Sequence, residues 1–349
     1  MALAGLSLLA ALWAGLLRLG WELPSPFPAF PVSHGALMVV GFLGTLIGLE
    51  RAVALERGWS YGASFLAALS SLALLAGLPS HIGHLLAAAA GCFLAALFIE
   101  LFRRQPSAHF ITMGIGALLW VIGALLWYTS YPLHQVVPWW IGFLVLMIAG
   151  ERLELSRLLG LSAWDRLKFL LANGIFLSGL LVSLATFALG VWISGIGLTA
   201  LALWLLRYDM ARRTIRQGGL SGFMALSLLS GYVWLGIGGI LWMLFAGFFS
   251  AGFYYDAMLH SVFLGFVFSM IFAHAPIILP SITGMTMPFQ SLFYAHLALL
   301  HLSLLLRVGG DLAASCAAQQ WGGLLNVLAI FLFLANSVRS VLLGRARLN

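Results

Sequence analysis

The chain has 349 residues, 62% of them hydrophobic and 8% charged, with a mean hydropathy of +1.06. These values exclude a water-soluble protein, because too few polar groups are present to solvate the surface of a folded globule. A net charge of +7 would suggest nucleic acid in a soluble protein, but here the basic residues sit between apolar stretches, so topology accounts for them and no nucleic acid is expected.

In chain order the apolar segments predict spans at 1–20, 33–50, 61–78, 83–102, 108–129, 138–156, 166–188, 190–206, 221–247, 256–277, 285–306 and 312–338. About twelve crossings of a lipid bilayer describe an all-α polytopic membrane protein, a single transmembrane domain over 1–349. The first segment has no basic residue ahead of it and no small-residue cleavage site, so it reads as a retained helix. The longest gaps, Arg18 to Ser33 and Arg207 to Ser221, are too short to fold alone.

Of the 17 Lys and Arg residues, 15 fall in every second gap or in the tail, which ends with Arg339, Arg345 and Arg347. Arg18 and Arg307 alone lie on the other side. That bias assigns the basic gaps and both termini to the cytoplasm, and the expected setting is a bacterial cell (inner) membrane. Cys92 and Cys316 have no CxxC spacing, so neither a disulfide nor a thiolate metal site is indicated.

An internal repeat runs through the spans. The second carries Gly41-Phe42-Leu43, Ile47 and Glu50-Arg51, and the sixth carries Gly142-Phe143-Leu144, Ile148 and Glu151-Arg152 at the same spacing. In the tenth, Gly265-Phe266 and Ile271 keep the register and His274 replaces the glutamate. Copies on spans two, six and ten predict three pseudo-repeats of four helices, roughly 1–106, 107–216 and 217–349.

An ionisable group within hydrocarbon is a candidate site. On the predicted topology His34, His81, His84, His134, His260 and His301 fall toward the outer leaflet, His109 and His274 toward the inner one, and His296 near the middle. His34 and His260 sit at similar depth on different helices, which suits the two axial ligands of a haem iron, although capping at helix ends explains their positions equally well. Gly35, Gly41 and Gly265 would let a flat macrocycle approach the backbone. Asp256, one turn before His260, is placed to orient that imidazole. A second haem would use His274 with His109, and a copper or zinc ion would use His81 and His84, though solvated loop histidines are the commoner case. His301 could line a haem pocket. Glu50, Glu100, Glu151 and Glu154 lie beside arginines at helix ends, which predicts salt bridges, and Trp139 and Trp140 fit an aromatic belt.

Ser33-His34-Gly35-Ala36-Leu37-Met38 with Gly41-Phe42, and Leu259-His260-Ser261-Val262-Phe263-Leu264-Gly265, resemble the haem-copper oxidase subunit I superfamily. The closer likeness is to its NnrS-type branch, membrane proteins associated with haem, copper and nitric-oxide stress. The resemblance implies a low-spin haem b held by His34 and His260 toward the outer face. The chain departs from the oxidases at Met258 and Val262, where a second histidine of that helix would stand, and has no histidine in spans six and seven for copper. It departs from the NnrS pattern at Val32 and Ala36, which lack the His-x-His pairing. Oxygen reduction coupled to proton pumping is therefore not expected.

Two classes of function remain open. One is a haem b membrane protein of electron transfer or of nitric-oxide or oxygen handling, with a redox partner at the outer face. A six-coordinate iron would favour electron transfer, and a five-coordinate iron gas chemistry. The other is a cofactor-free permease with glycine-rich helices, and a structural subunit of a respiratory complex is a third reading.

Overall fold

The computed structural model describes residues 1–346, and among them there is helix and no strand. Twelve long helices follow one another in these residues: α1 (Ala2–Arg18), α2 (Phe30–Leu55), α3 (Gly58–Leu75), α4 (Ser80–Arg104), α5 (Ala108–Tyr128), α6 (Leu133–Ser156), α7 (Ala163–Ser183), α8 (Phe187–Tyr208), α9 (Gly219–Leu244), α10 (Gly252–Thr283), α11 (Phe293–Leu312) and α12 (Cys316–Arg345). All but α1 are long and apolar enough to cross a membrane. The 17 residues of α1 rise about 26 Å and the 32 of α10 about 48 Å, against a hydrocarbon core of roughly 30 Å. The chain is thus a multi-pass helical membrane protein, as its composition predicts. Arg347 lies outside the described residues.

Two compact units divide the chain, Met1–Glu151 and Arg152–Asn349. In the first, α4 packs against α3 and α5, and α1 packs against the middle of α2. In the second, α7 packs on α8, α8 on α9, and α11 on α12. Lipid is as apolar as leucine, so close packing rather than water exclusion holds such helices together. Small residues make it so: a side chain at Gly197 would collide with the main chain of Phe176, and one at Gly190 with that of Ser183.

Four local expectations are corrected. Helix α7 begins at Ala163, ahead of the predicted 166, because Ser162 and Asp165 form a reciprocal cap, each backbone N–H donating to the other's side chain at 3.2 Å. Helix α10 runs through Pro276 and Pro280 to the left-handed Gly284, past the predicted end at 277. Helix α11 continues to Leu312, where the sequence suggests an end at 306, and it takes Arg307 and Asp311 out of the predicted loop into the helix. Trp139 and Trp140 are 1% and 0% exposed, because α6 is enclosed on most of its surface, so they are core residues and not a belt.

The repeat leaves a mark on the backbone. Leu37–Gly44 of α2 and Ser261–Phe268 of α10 are both wound as π-helix. When Gly41 is aligned with Gly265, these two segments coincide end to end. Helix α6 stays α-helical there and carries Pro138 where the other two begin to widen. Runs of i→i+5 bonding this long are rare and concentrate at functional sites. In that register His34 matches Met258 and His260 matches Ala36, so the two histidines are not repeats of one another.

Candidate functional site

An imidazole ligates a metal through a nitrogen that carries no hydrogen, so the partner of its other nitrogen decides whether it can serve. In the first unit His34 Nδ1 stands 2.7 Å from the Ala11 carbonyl of α1. A carbonyl only accepts, so Nδ1 holds the hydrogen and, in the neutral ring, Nε2 holds the lone pair. Gly15 makes the approach feasible, since a Cβ there would lie 3.0 Å from the ring.

In the second unit His260 Nδ1 is 3.0 Å from the Asp256 carbonyl and 3.2 Å from its Oδ1. Asp256 is therefore seated against the imidazole that its sequence position predicts it to orient. Its carboxylate is held in turn by Arg307, whose Nε donates to Oδ2 at 2.7 Å and whose Nη2 donates to Oδ1 at 2.8 Å. His274 repeats the pattern, with Nδ1 2.6 Å from the Met270 carbonyl.

Other histidines are set the opposite way. The Trp234 indole donates to His301 Nδ1 at 3.0 Å, so Nε2 carries the hydrogen and His301 offers a donor rather than a ligand. Asn336 donates to His296 Nδ1 at 3.1 Å, with its amide nitrogen fixed by a second bond to the Leu292 carbonyl. His296 lies among Phe223, Phe272, Phe293 and Phe333. His109 is buried, with Nε2 at 3.3 Å from Ser107 Oγ. His84 stacks on Trp127 at 3.7 Å, one helical turn after the exposed His81. Among the described residues no group of three or more metal-ligating side chains occurs, so a metal at His81 and His84 would have two protein ligands.

Two of the three glycines expected to border a macrocycle meet neighbouring side chains. A Cβ at Gly41 would meet Ser7 and Ser71, whose hydroxyls are bonded at 2.9 Å, and one at Gly265 would lie 2.5 Å from Trp234. Both glycines let helices touch. Gly35 meets only Leu133, at 3.9 Å, and keeps an open face.

Glu50, Glu100 and Glu151 pair with arginines as expected, Glu100 with Arg104 at 3.1 Å. Arg51 bridges Glu50, at 3.1 Å, and Glu151, so the acids of two repeat copies share one guanidinium. Arg152 lies 3.9 Å from the buried Asp209, which also accepts a hydrogen bond from Tyr232 at 3.0 Å.

Sequence reasoning missed Arg307 and Asp311. Their i, i+4 spacing on one helix was the available signal, and it was hidden by reading them as a loop.

A family model, Domain of unknown function (DUF8744), matches residues 1–342. The chain belongs to that family. No curated protein and no solved structure matches it.

Proposed function

We propose that this chain is a haem b-binding integral membrane protein, with His34 and His260 as axial imidazoles, acting in electron transfer or in handling nitric oxide or oxygen. One observation carries the reading: each of these rings commits Nδ1 to a main-chain carbonyl, which leaves Nε2 as the ligating nitrogen. That is the second-neighbour pattern of metal-bound histidine, which fixes the tautomer and raises ligand basicity. When bound, the haem would supply one-electron chemistry or an iron site for a diatomic gas. The chain's own part is to orient the rings: Ala11 and Gly15 seat His34, while Asp256 and Arg307 seat His260.

His274, with the same anchoring, is the residue through which a second haem would be held. Copper has weaker support, resting on two side chains alone. The charge alternation supports cytoplasmic termini and an outer position for His34 and His260, where a redox partner would dock.

The protein purified from cells supplied with haem is expected to be red, with a Soret band and a sharp alpha band on reduction. A colourless preparation under those conditions would favour the cofactor-free permease.

A further inference from the structure

Positive charge collects where α8 ends. Residues 207–216 hold Arg207, Arg212, Arg213 and Arg216 and a single acid, Asp209. Asp209 is 2% exposed and its charge is used inside the second unit: Oδ1 accepts from the Ala211 N–H at 2.7 Å, Oδ2 accepts from the Tyr232 hydroxyl at 3.0 Å, and Arg152 faces it. The four arginines are exposed, and among the described residues none has an ion pair. Arg212 donates to the Arg207 carbonyl at 3.3 Å and Arg207 lies over the Tyr208 ring, so neither meets a carboxylate. At other helix ends Arg51, Arg104 and Lys168 each have one beside them.

Neighbouring groups fix the level of this segment. Trp204 of α8 donates to the Asp165 carbonyl of α7 at 2.7 Å, and Lys168 donates to the Tyr208 hydroxyl at 3.0 Å, so the first turn of α7 stands beside the last turn of α8. Trp164 in that turn is 71% exposed, an amphipathic ring at the place where both apolar runs end, and indoles so placed mark the polar edge of a bilayer. The chain then turns through a short helix, Ala211–Thr214, that packs along α9, which keeps the arginines against the helix ends.

Four guanidiniums so close together repel one another, and each presents a planar fork of donors that matches phosphate oxygens. Topology asks for the positive charge but for no particular anion. A phosphodiester headgroup of net negative charge supplies both the neutralising charge and the acceptors, at the level where these side chains stand.

We propose that residues 207–216 form a binding surface for anionic phospholipid headgroups, gripped by Arg207, Arg212, Arg213 and Arg216, with Trp164 anchored in lipid at the same level. The proposal depends neither on haem nor on which side of the membrane this end faces.

The full chain, purified in a neutral detergent and stripped of lipid, tests it through the melting temperature during titration with phosphatidylglycerol or with phosphatidylcholine of the same acyl chains. Phosphatidylglycerol should stabilise the wild type at a roughly tenfold lower concentration, and added salt should narrow that gap. Arg207→Gln, Arg212→Gln, Arg213→Gln and Arg216→Gln together should abolish the preference and leave the response to phosphatidylcholine, whereas Arg→Lys at the same four positions should keep most of it. If the glutamine variant does not fold, Arg213→Gln with Arg216→Gln should still narrow the gap. Equal responses of the wild type to the two lipids overturn the proposal and leave a soluble acidic partner as the reading of the patch. A preference that survives the glutamine substitutions also overturns it, because the lipid then binds elsewhere. Stabilisation by inorganic phosphate equal to that by phosphatidylglycerol, at constant ionic strength, would show that a free anion takes the place assigned to the headgroup.

Discussion

A carbonyl against Nδ1 places the lone pair of the neutral ring on Nε2, whereas an indole or amide N–H against Nδ1 forces the hydrogen onto Nε2. His34 and His260 fall in the first class, and His296 and His301 in the second. Arg307 matters because it holds the carboxylate that holds His260. Arg307→Met leaves Asp256 without its cation, and breaking a buried ion pair typically costs about 3–5 kcal/mol. Chemical unfolding in detergent should show that loss, and adding Asp256→Asn should recover part of it; a fully additive double variant would mean that the two residues are not coupled. The sequence placed Asp256 one turn from His260, since i, i+4 geometry needs only the helix. It could not show that Arg307 reaches back across 51 positions, because that bond depends on α11 extending past its predicted end.

Helices α2 and α10 share a π-helical stretch in matching register, so their likeness reaches the backbone and is not confined to side-chain identity. Apolar runs announced both helices. Winding was not legible, because any run of Leu, Val, Phe and Gly suits α and π alike, and the choice belongs to the neighbours. Burial likewise decided the fate of Trp139 and Trp140, whose positions near a predicted loop read as interfacial. Between α7 and α8 the contacts run backbone to backbone, and there Gly197→Ala should cost about 1–3 kcal/mol by overpacking against Phe176. A methyl group at Gly174 of α7 would meet no neighbour within 4 Å, so Gly174→Ala should leave the melting temperature unchanged or raise it. Equal losses from both substitutions would refute the close approach.

At the scale of the molecule, twelve helices in sequence bring the two ends to the same side if each crosses once. The proposed topology, read from the charge alternation, puts that side in the cytoplasm. A fluorescent protein fused to either terminus should therefore mature and fluoresce, and an enzyme reporter that works only outside the cytoplasm should be silent at both. Activity of the outside reporter at either end would contradict the assigned topology. Eleven of the twelve expected spans were legible because hydrocarbon thickness imposes them on composition, whereas the tautomers of particular histidines arise only from folded neighbours. The haem reading is tested most directly by the reduced absorption spectrum of four single variants compared with the wild type. His34→Ala and His260→Ala are expected to weaken or reshape the Soret and alpha bands, while His296→Ala and His301→Ala leave them unchanged. Unchanged bands in the first pair, or bands lost only in the second, would contradict the account.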